Sequence, residues 1–155
     1  MDVANMLCVV TGANSGIGKK TAPSFAADGA YIIMICRNEQ RARNARQDII
    51  ENTGNTGVQI IIADLSVQCD VRSAADKINH QFDQINILIN NSGLITNERE
   101  ETIDGIEKTL AVNHLAPFLL TNLLWDSLQL TENYSPMRAY GISKLCNIMV
   151  YPRAG

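Results

Sequence analysis

Two side chains near the end of the 155-residue chain could together move a proton. Tyr140 and Lys144 are four residues apart, so on a helix they lie on one face. A phenol titrates at about 10 in water, which is too high for a base at neutral pH. A neighbouring ammonium group stabilises the phenolate and lowers that pKa. The pair is therefore a candidate acid/base catalyst, although the same spacing by itself often occurs by chance.

A glycine-rich turn follows the first apolar segment of the chain. Residues 7–10 (LCVV) predict a buried strand that leads into the sequence TGANSGIG. Gly12 suits a tight turn, Gly16 leaves the main chain open to a phosphate, and Gly18 lets the next helix pack close to the strand. The start of that helix would offer free N–H donors and a positive dipole end to a nucleotide pyrophosphate. The alternative is a tight turn with no ligand.

An arginine stands where dinucleotide-binding folds read the ribose 2′ position. Arg37 follows Gly18 by 19 residues and comes directly after an apolar segment. An acidic residue there would accept a hydrogen bond from the 2′-hydroxyl of NAD, whereas arginine offers forked donors to the 2′-phosphate of NADP. The sequence therefore predicts NADP as the cofactor, with NAD less favoured. The alternative is a solvated arginine at a strand end.

Short apolar segments alternate with amphipathic helical patterns over the first 124 residues. The predicted strands are 7–10, 31–36, 58–63 and 85–90, and the predicted helices are 19–28, 39–52, 67–82 and 103–124. This alternation of strands and helices predicts an α/β fold. We expect a single Rossmann-like domain over residues 1–155, with three layers (α/β/α) and a parallel sheet in the order 3-2-1-4. Residues 125–139 contain no run of four apolar residues and predict a loop.

Composition and charge exclude several functional classes. A net charge of −3 with scattered Lys and Arg gives no basic surface for nucleic acid or an anionic membrane. The four cysteines have no CxxC spacing, and three of them lie in or beside apolar segments, which predicts buried reduced thiols. The sequence contains no cluster of metal-ligating residues, so we expect no metal site. The N-terminus has no basic region and no long apolar segment. We therefore expect no membrane anchor and a cytoplasmic location.

Taken together and in this order, the motifs resemble those of the short-chain dehydrogenase/reductase family. They are TGANSGIG at 11–18, Cys36-Arg37, Asp64-Leu65, Asn90-Asn91-Ser92-Gly93, VNHLAPFLLT at 112–121, and Tyr140-Gly141-Ile142-Ser143-Lys144. The retinol-dehydrogenase-like branch is the most similar. The resemblance implies an NADP-dependent oxidoreductase for an alcohol/carbonyl pair, acting on a retinoid or another hydrophobic small molecule.

The resemblance also implies roles for individual residues. Asp64 would hold the adenine, and Asn113 would kink its helix and anchor a proton-relay water. Tyr140 would exchange the substrate proton, while Lys144 lowers its pKa and binds the nicotinamide ribose. The implied catalytic residues are Asn113, Tyr140 and Lys144, and the implied cofactor-binding residues are Gly12, Asn14, Ser15, Gly16, Ile17, Gly18, Arg37, Asp64, Leu65, Asn90, Ser92, Gly93, Tyr140 and Lys144.

Simpler structural roles remain open for two of these motifs. Asp64 could serve as a helix cap, for which Ser66 is the better candidate. The segment from Asn90 to Gly93 could be an ordinary turn after a strand.

Two parts of the family pattern have no counterpart here. The family places a fifth strand, ending in a catalytic serine, before the tyrosine helix, and further strands after it. Ser127 precedes Tyr140 by 13 residues, but it does not follow a strand. We therefore expect an incomplete fold, truncated internally and at the C-terminus. A catalytically inactive family member that keeps part of the nucleotide site is the alternative function, and a protein-interaction module is a third.

An incomplete sheet would leave residues 85–90 with one unpaired edge. Such an edge is a template for another chain. We therefore expect self-association, either as a homodimer through helices or by pairing at that edge.

Overall fold

The computed structural model describes residues 3–128, so Tyr140 and Lys144 lie outside the described residues. Strands and helices alternate through this part of the chain. The strands are β1 (Leu7–Thr11), β2 (Tyr31–Cys36), β3 (Val58–Ile62) and β4 (Ile87–Ile89). The helices are α1 (Gly18–Ala27), α2 (Glu39–Thr53), α3 (Gln68–Gln81), α4 (Lys108–Leu110), a π-helical turn (Ala111–Leu115), α5 (Ala116–Leu123) and α6 (Trp125–Leu128).

The four strands form one parallel sheet in the order β3-β2-β1-β4, which confirms the predicted topology. Side chains alternate between its two faces. Cys8, Val10, Ile32 and Met34 pack in one core with small residues of α1 and α2. Val9, Ile33, Ile35 and Ile61 pack in a second core with α3 and α5. Helices cover both faces, which confirms the predicted three layers and accounts for the largely apolar strands.

The predicted helix 103–124 is wrong at its start. Gly105 has a φ of 72° within a turn closed by the Thr102 N–H bonding to the Ile106 carbonyl at 2.8 Å. Helix α4 begins only after Glu107, whose carboxylate accepts from the N–H groups of Thr109 and Leu110 at 2.8 and 2.7 Å. A left-handed glycine and a capping side chain together set this boundary.

The predicted loop at 125–139 is wrong for its first four residues, which form α6. The Ser127 carbonyl accepts from the Ile85 N–H at 2.8 Å, and Ser127 Oγ bonds Asn79 Oδ1 at 2.8 Å. Strand β4 is shorter than the predicted strand 85–90 and runs only from 87 to 89. Among residues 3–128, no strand pairs with the outer side of β4. No helix in this described part is long and apolar enough to cross a membrane.

Candidate functional site

A pocket of about 520 Å³ lies at the carboxyl ends of the four strands. We call it the carboxyl-edge pocket. Each strand contributes the residues that follow it, which is the usual place for ligands in open α/β sheets. The lining residues are Gly12, Asn14, Ser15, Gly16, Ile17, Ile35, Cys36, Arg37, Asn38, Arg41, Ala63, Asp64, Leu65, Asn91, Ser92, Gly93, Leu94 and Val112.

The glycine-rich turn presents unpaired backbone donors to this pocket. Gly12 and Gly16 have φ angles of 68° and 53°, which lie in the left-handed region that favours glycine. The N–H groups of residues 15–17 have no hydrogen-bond acceptor in the described part of the chain. A Cβ placed on Gly16 would meet no atom within 4 Å. Open space beside free donors at the start of α1 fits a phosphate group.

Gly18 has a packing role beneath the pocket. A Cβ at this position would collide with Asn91 Nδ2 and would lie 2.7 Å from the Gly12 carbonyl oxygen. The absence of a side chain therefore lets α1 approach the end of β1 closely, as the sequence predicts. Gly18 does not line the carboxyl-edge pocket.

A buried hydroxyl joins the ends of β1 and β4. Thr11 Oγ1 accepts from the Asn91 and Ser92 N–H groups at 2.9 Å each and lies 3.5 Å from the Ile89 carbonyl oxygen. Asn91 Nδ2 adds a bond to the Thr11 carbonyl oxygen at 2.9 Å. Thr11 and Asn91 were not predicted as site residues, although both belong to the sequence motifs at the ends of β1 and β4. Together they fix the two loops that face each other across the pocket.

Cys36 attaches the end of β2 to the glycine-rich turn. Its buried sulfur accepts from the backbone N–H groups of Ala13 and Asn14. Burial raises the pKa of the Cys36 thiol to about 11, and burial raises that of Cys8 to about 12. Both are therefore neutral buried thiols, as predicted, whereas Cys69, which lies outside the apolar segments, is exposed. The fourth cysteine, Cys146, lies outside the described residues.

Two opposite charges meet on the side of the pocket formed by β2 and β3. Arg37 Nη1 lies 3.8 Å from Asp64 Oδ2, and the Arg37 side chain is 63% exposed. Asp64 Oδ1 accepts from both the N–H and the hydroxyl of Ser66, at 2.9 and 2.8 Å. Leu65 also lines this side. The three predicted cofactor-binding residues at these strand ends therefore line one pocket.

The alternative role of Ser66 as the cap of α3 is not the one that the structure shows. The N-cap residue is Val67, whose side chain makes no capping bond. Asp104 supplies the acceptor instead, since its Oδ2 receives the Gln68 N–H at 2.8 Å across 36 residues. Asp64 does not cap the helix either, because its side chain bonds Ser66.

The residues that follow β4 separate into two groups. Ser92 and Gly93 line the carboxyl-edge pocket, as their predicted role requires. Asn90 does not line it, because its Nδ2 donates to Thr121 Oγ1 on α5 at 3.1 Å. Its Oδ1 is buried and has no partner among residues 3–128. A cofactor contact by the Asn90 side chain therefore stays a prediction.

Asn113 lies in the π-helical turn, which confirms the predicted local break in this helix. The residue is exposed, and its amide makes two hydrogen bonds, both with the Leu94 backbone. Oδ1 accepts from the Leu94 N–H and Nδ2 donates to the Leu94 carbonyl, both at 2.8 Å. Asn113 thus holds the loop after β4 at the pocket, next to Gly93. Its relay role and the roles of Tyr140 and Lys144 stay predictions.

Several proteins are similar to this chain in sequence. The family model for short chain dehydrogenases matches residues 6–134. Human retinol dehydrogenase 13 is 40% identical over 140 residues, which cover 90% of this chain and 41% of that protein. A WW domain-containing oxidoreductase of Gallus gallus is 37% identical, and its match covers 96% of this chain and 44% of the relative. That alignment spans 182 positions, so the relative has residues within the matched region that this chain lacks.

Solved structures share the fold. A protein of Escherichia coli CFT073 complexed with NADPH is 31% identical with a TM-score of 0.70, over 85% of this chain and 57% of that one. The short chain dehydrogenase from Shigella flexneri is 29% identical with a TM-score of 0.70, over 85% of this chain and 53% of that one. The chain spans about two fifths of the curated relatives' length. With its sheet order, glycine-rich turn and matched residues, the chain belongs to the short-chain dehydrogenase family.

Proposed function

We propose that the carboxyl-edge pocket binds NADP(H). The observation that carries the proposal is the set of unpaired N–H groups at residues 15–17, in the same pocket as the Arg37 guanidinium. The free donors suit a pyrophosphate, and the guanidinium suits a ribose 2′-phosphate. Asp64 and Leu65 would hold the adenine, and Ser92 and Gly93 would lie toward the nicotinamide half. A similar protein of known structure is complexed with NADPH, which supports this choice of nucleotide.

We further propose an oxidoreductase that interconverts a hydrophobic alcohol and its carbonyl compound. The names of the curated relatives, several of them retinol dehydrogenases, support this substrate class. The bound nicotinamide would supply or accept the hydride. Tyr140 would exchange the proton of the substrate oxygen, and Lys144 would lower the pKa of Tyr140. Asn113 would hold the Leu94 backbone beside Gly93 and would anchor the relay water.

A second function is an inactive family member that retains nucleotide binding. One observation that favours it is the alignment in which a relative has residues that this chain lacks. Another is that Ser127 Oγ bonds Asn79 Oδ1 at 2.8 Å on α3, where it cannot also serve a substrate at the pocket. Loss of a single oxyanion-type donor costs about 10²–10³ in rate, and here a whole strand would be lost with the serine.

Fluorescence titration with NADPH and a retinaldehyde reduction assay distinguish these functions. Binding, together with turnover that is lost in Tyr140→Phe, supports the oxidoreductase. Binding with turnover at the background rate supports the inactive member. If the folded chain binds neither NADPH nor NADH, both proposals are wrong.

A further inference from the structure

We propose that Arg41 supplies a second cation to the ribose 2′-phosphate and is required for a preference for NADPH over NADH. This inference rests on the proposed function and adds the residue that decides between the two nucleotides. No sequence motif assigns a role to Arg41. Arg41 is a candidate because it lines the carboxyl-edge pocket, together with Arg37 and Asp64.

Arg37 alone is a poor receptor for a phosphate in this pocket. Its guanidinium lies 3.8 Å from the carboxylate of Asp64, and the formal charges of the two groups cancel. A phosphate monoester carries about −1.5 to −2 charges near pH 7. Asp64 would repel that charge and would compete for the donors of Arg37. A net positive potential therefore needs another cation on this side of the pocket.

Arg41 has the position and the freedom to provide that cation. It lies in the first turn of α2, four residues after Arg37. Asn38 Oδ1 accepts from the Arg41 N–H at 2.8 Å, which fixes the backbone at the rim of the pocket. The Arg41 guanidinium has no ion pair among residues 3–128. It can therefore turn toward a ligand without breaking an existing contact.

Arg43, on the same helix, differs from Arg41 both in its ion pair and in its position relative to the pocket. Arg43 is paired with Glu39 at 2.6 Å and does not line the pocket. Because Arg43 lies on the same helix and has the same charge, Arg43→Gln is a matched control for Arg41→Gln. Of the charged residues that line the pocket, Arg37 and Asp64 cancel, so removing Arg41 leaves no net positive charge there.

The test is the ratio of dissociation constants for NADH and NADPH, measured by fluorescence titration on the full chain. Arg41→Gln removes a charge-assisted hydrogen bond to the phosphate, so we expect it to lower the preference for NADPH about tenfold. Affinity for NADH should stay nearly constant, and Arg43→Gln should leave the ratio unchanged. Arg41→Lys should retain part of the preference. Added salt should reduce the preference of the unmutated chain more than that of Arg41→Gln.

Three results would overturn the inference. If the unmutated chain prefers NADPH and Arg41→Gln keeps the same ratio, the inference fails while the proposed function stands. An equal loss in Arg43→Gln would indicate a general charge effect and would also overturn it. If the unmutated chain binds neither nucleotide, the proposed function fails and this inference fails with it. Thermal unfolding of each variant confirms that the compared chains are folded.

Discussion

Replacing Thr11 with valine should destabilise the fold because the buried hydroxyl joins two strands. Valine has nearly the same shape, so the change removes hydrogen bonds without opening a cavity. The Ser92 N–H loses the Thr11 Oγ1 acceptor that it has at 2.9 Å. The Asn91 N–H loses the same acceptor but keeps the Ile89 carbonyl at 3.0 Å. One donor is left without an acceptor and one keeps a single acceptor, so we expect the free energy of unfolding to fall by about 2–4 kcal/mol.

Urea unfolding of the full chain, followed by circular dichroism, measures this loss. Thr21→Val is the matched control, because the Thr21 hydroxyl makes a single exposed bond to the Ile17 carbonyl at 3.0 Å. We expect the control to change the free energy of unfolding by less than about 0.5 kcal/mol. Thr11→Ser keeps the hydroxyl and should lose only about 1 kcal/mol for the missing methyl group. A loss below about 0.5 kcal/mol in Thr11→Val would refute the view that this hydroxyl fixes the two loops.

Three further predictions concern packing and pH. Gly18→Ala should lower the free energy of unfolding by about 1–3 kcal/mol, measured in urea, because the new methyl would lie 2.7 Å from the Gly12 carbonyl oxygen. Hydrogen bonds from backbone N–H groups of α4 lower the pKa of Glu107. The carboxylate therefore stabilises the fold at neutral pH, and this stabilisation is lost as the pH falls through the lowered pKa. The difference in unfolding midpoint between the unmutated chain and Glu107→Gln should therefore shrink on acidification. Burial raises the pKa of Cys8 and Cys36 to about 12 and about 11, so stability should fall as the pH rises above about 8.5, and replacing both with alanine should flatten this alkaline loss.

The sequence alone determined the sheet order and the position of the glycine-rich turn. The order follows from the alternation of apolar strands with helices, because right-handed crossovers allow few arrangements of a parallel sheet. The turn depends on local properties, because Gly12 and Gly16 adopt positive φ angles within a few residues. The placement of Arg37 and Asp64 at one pocket also followed, since the carboxyl ends of neighbouring parallel strands meet at one edge of the sheet.

Only the tertiary structure decided which distant groups meet at the pocket. Asn113 holds Leu94, and Asp104 caps α3 at Gln68, in each case through a side chain whose partner is far away in sequence. A capping pattern or a helical period reports neighbours within about four residues, so it carries no signal for such partners. Ser127 of α6 likewise bonds Asn79 and Ile85, which are far away in sequence. The Thr11 hydroxyl likewise acquires its role only when β1 and β4, about 80 residues apart in sequence, lie side by side in the sheet.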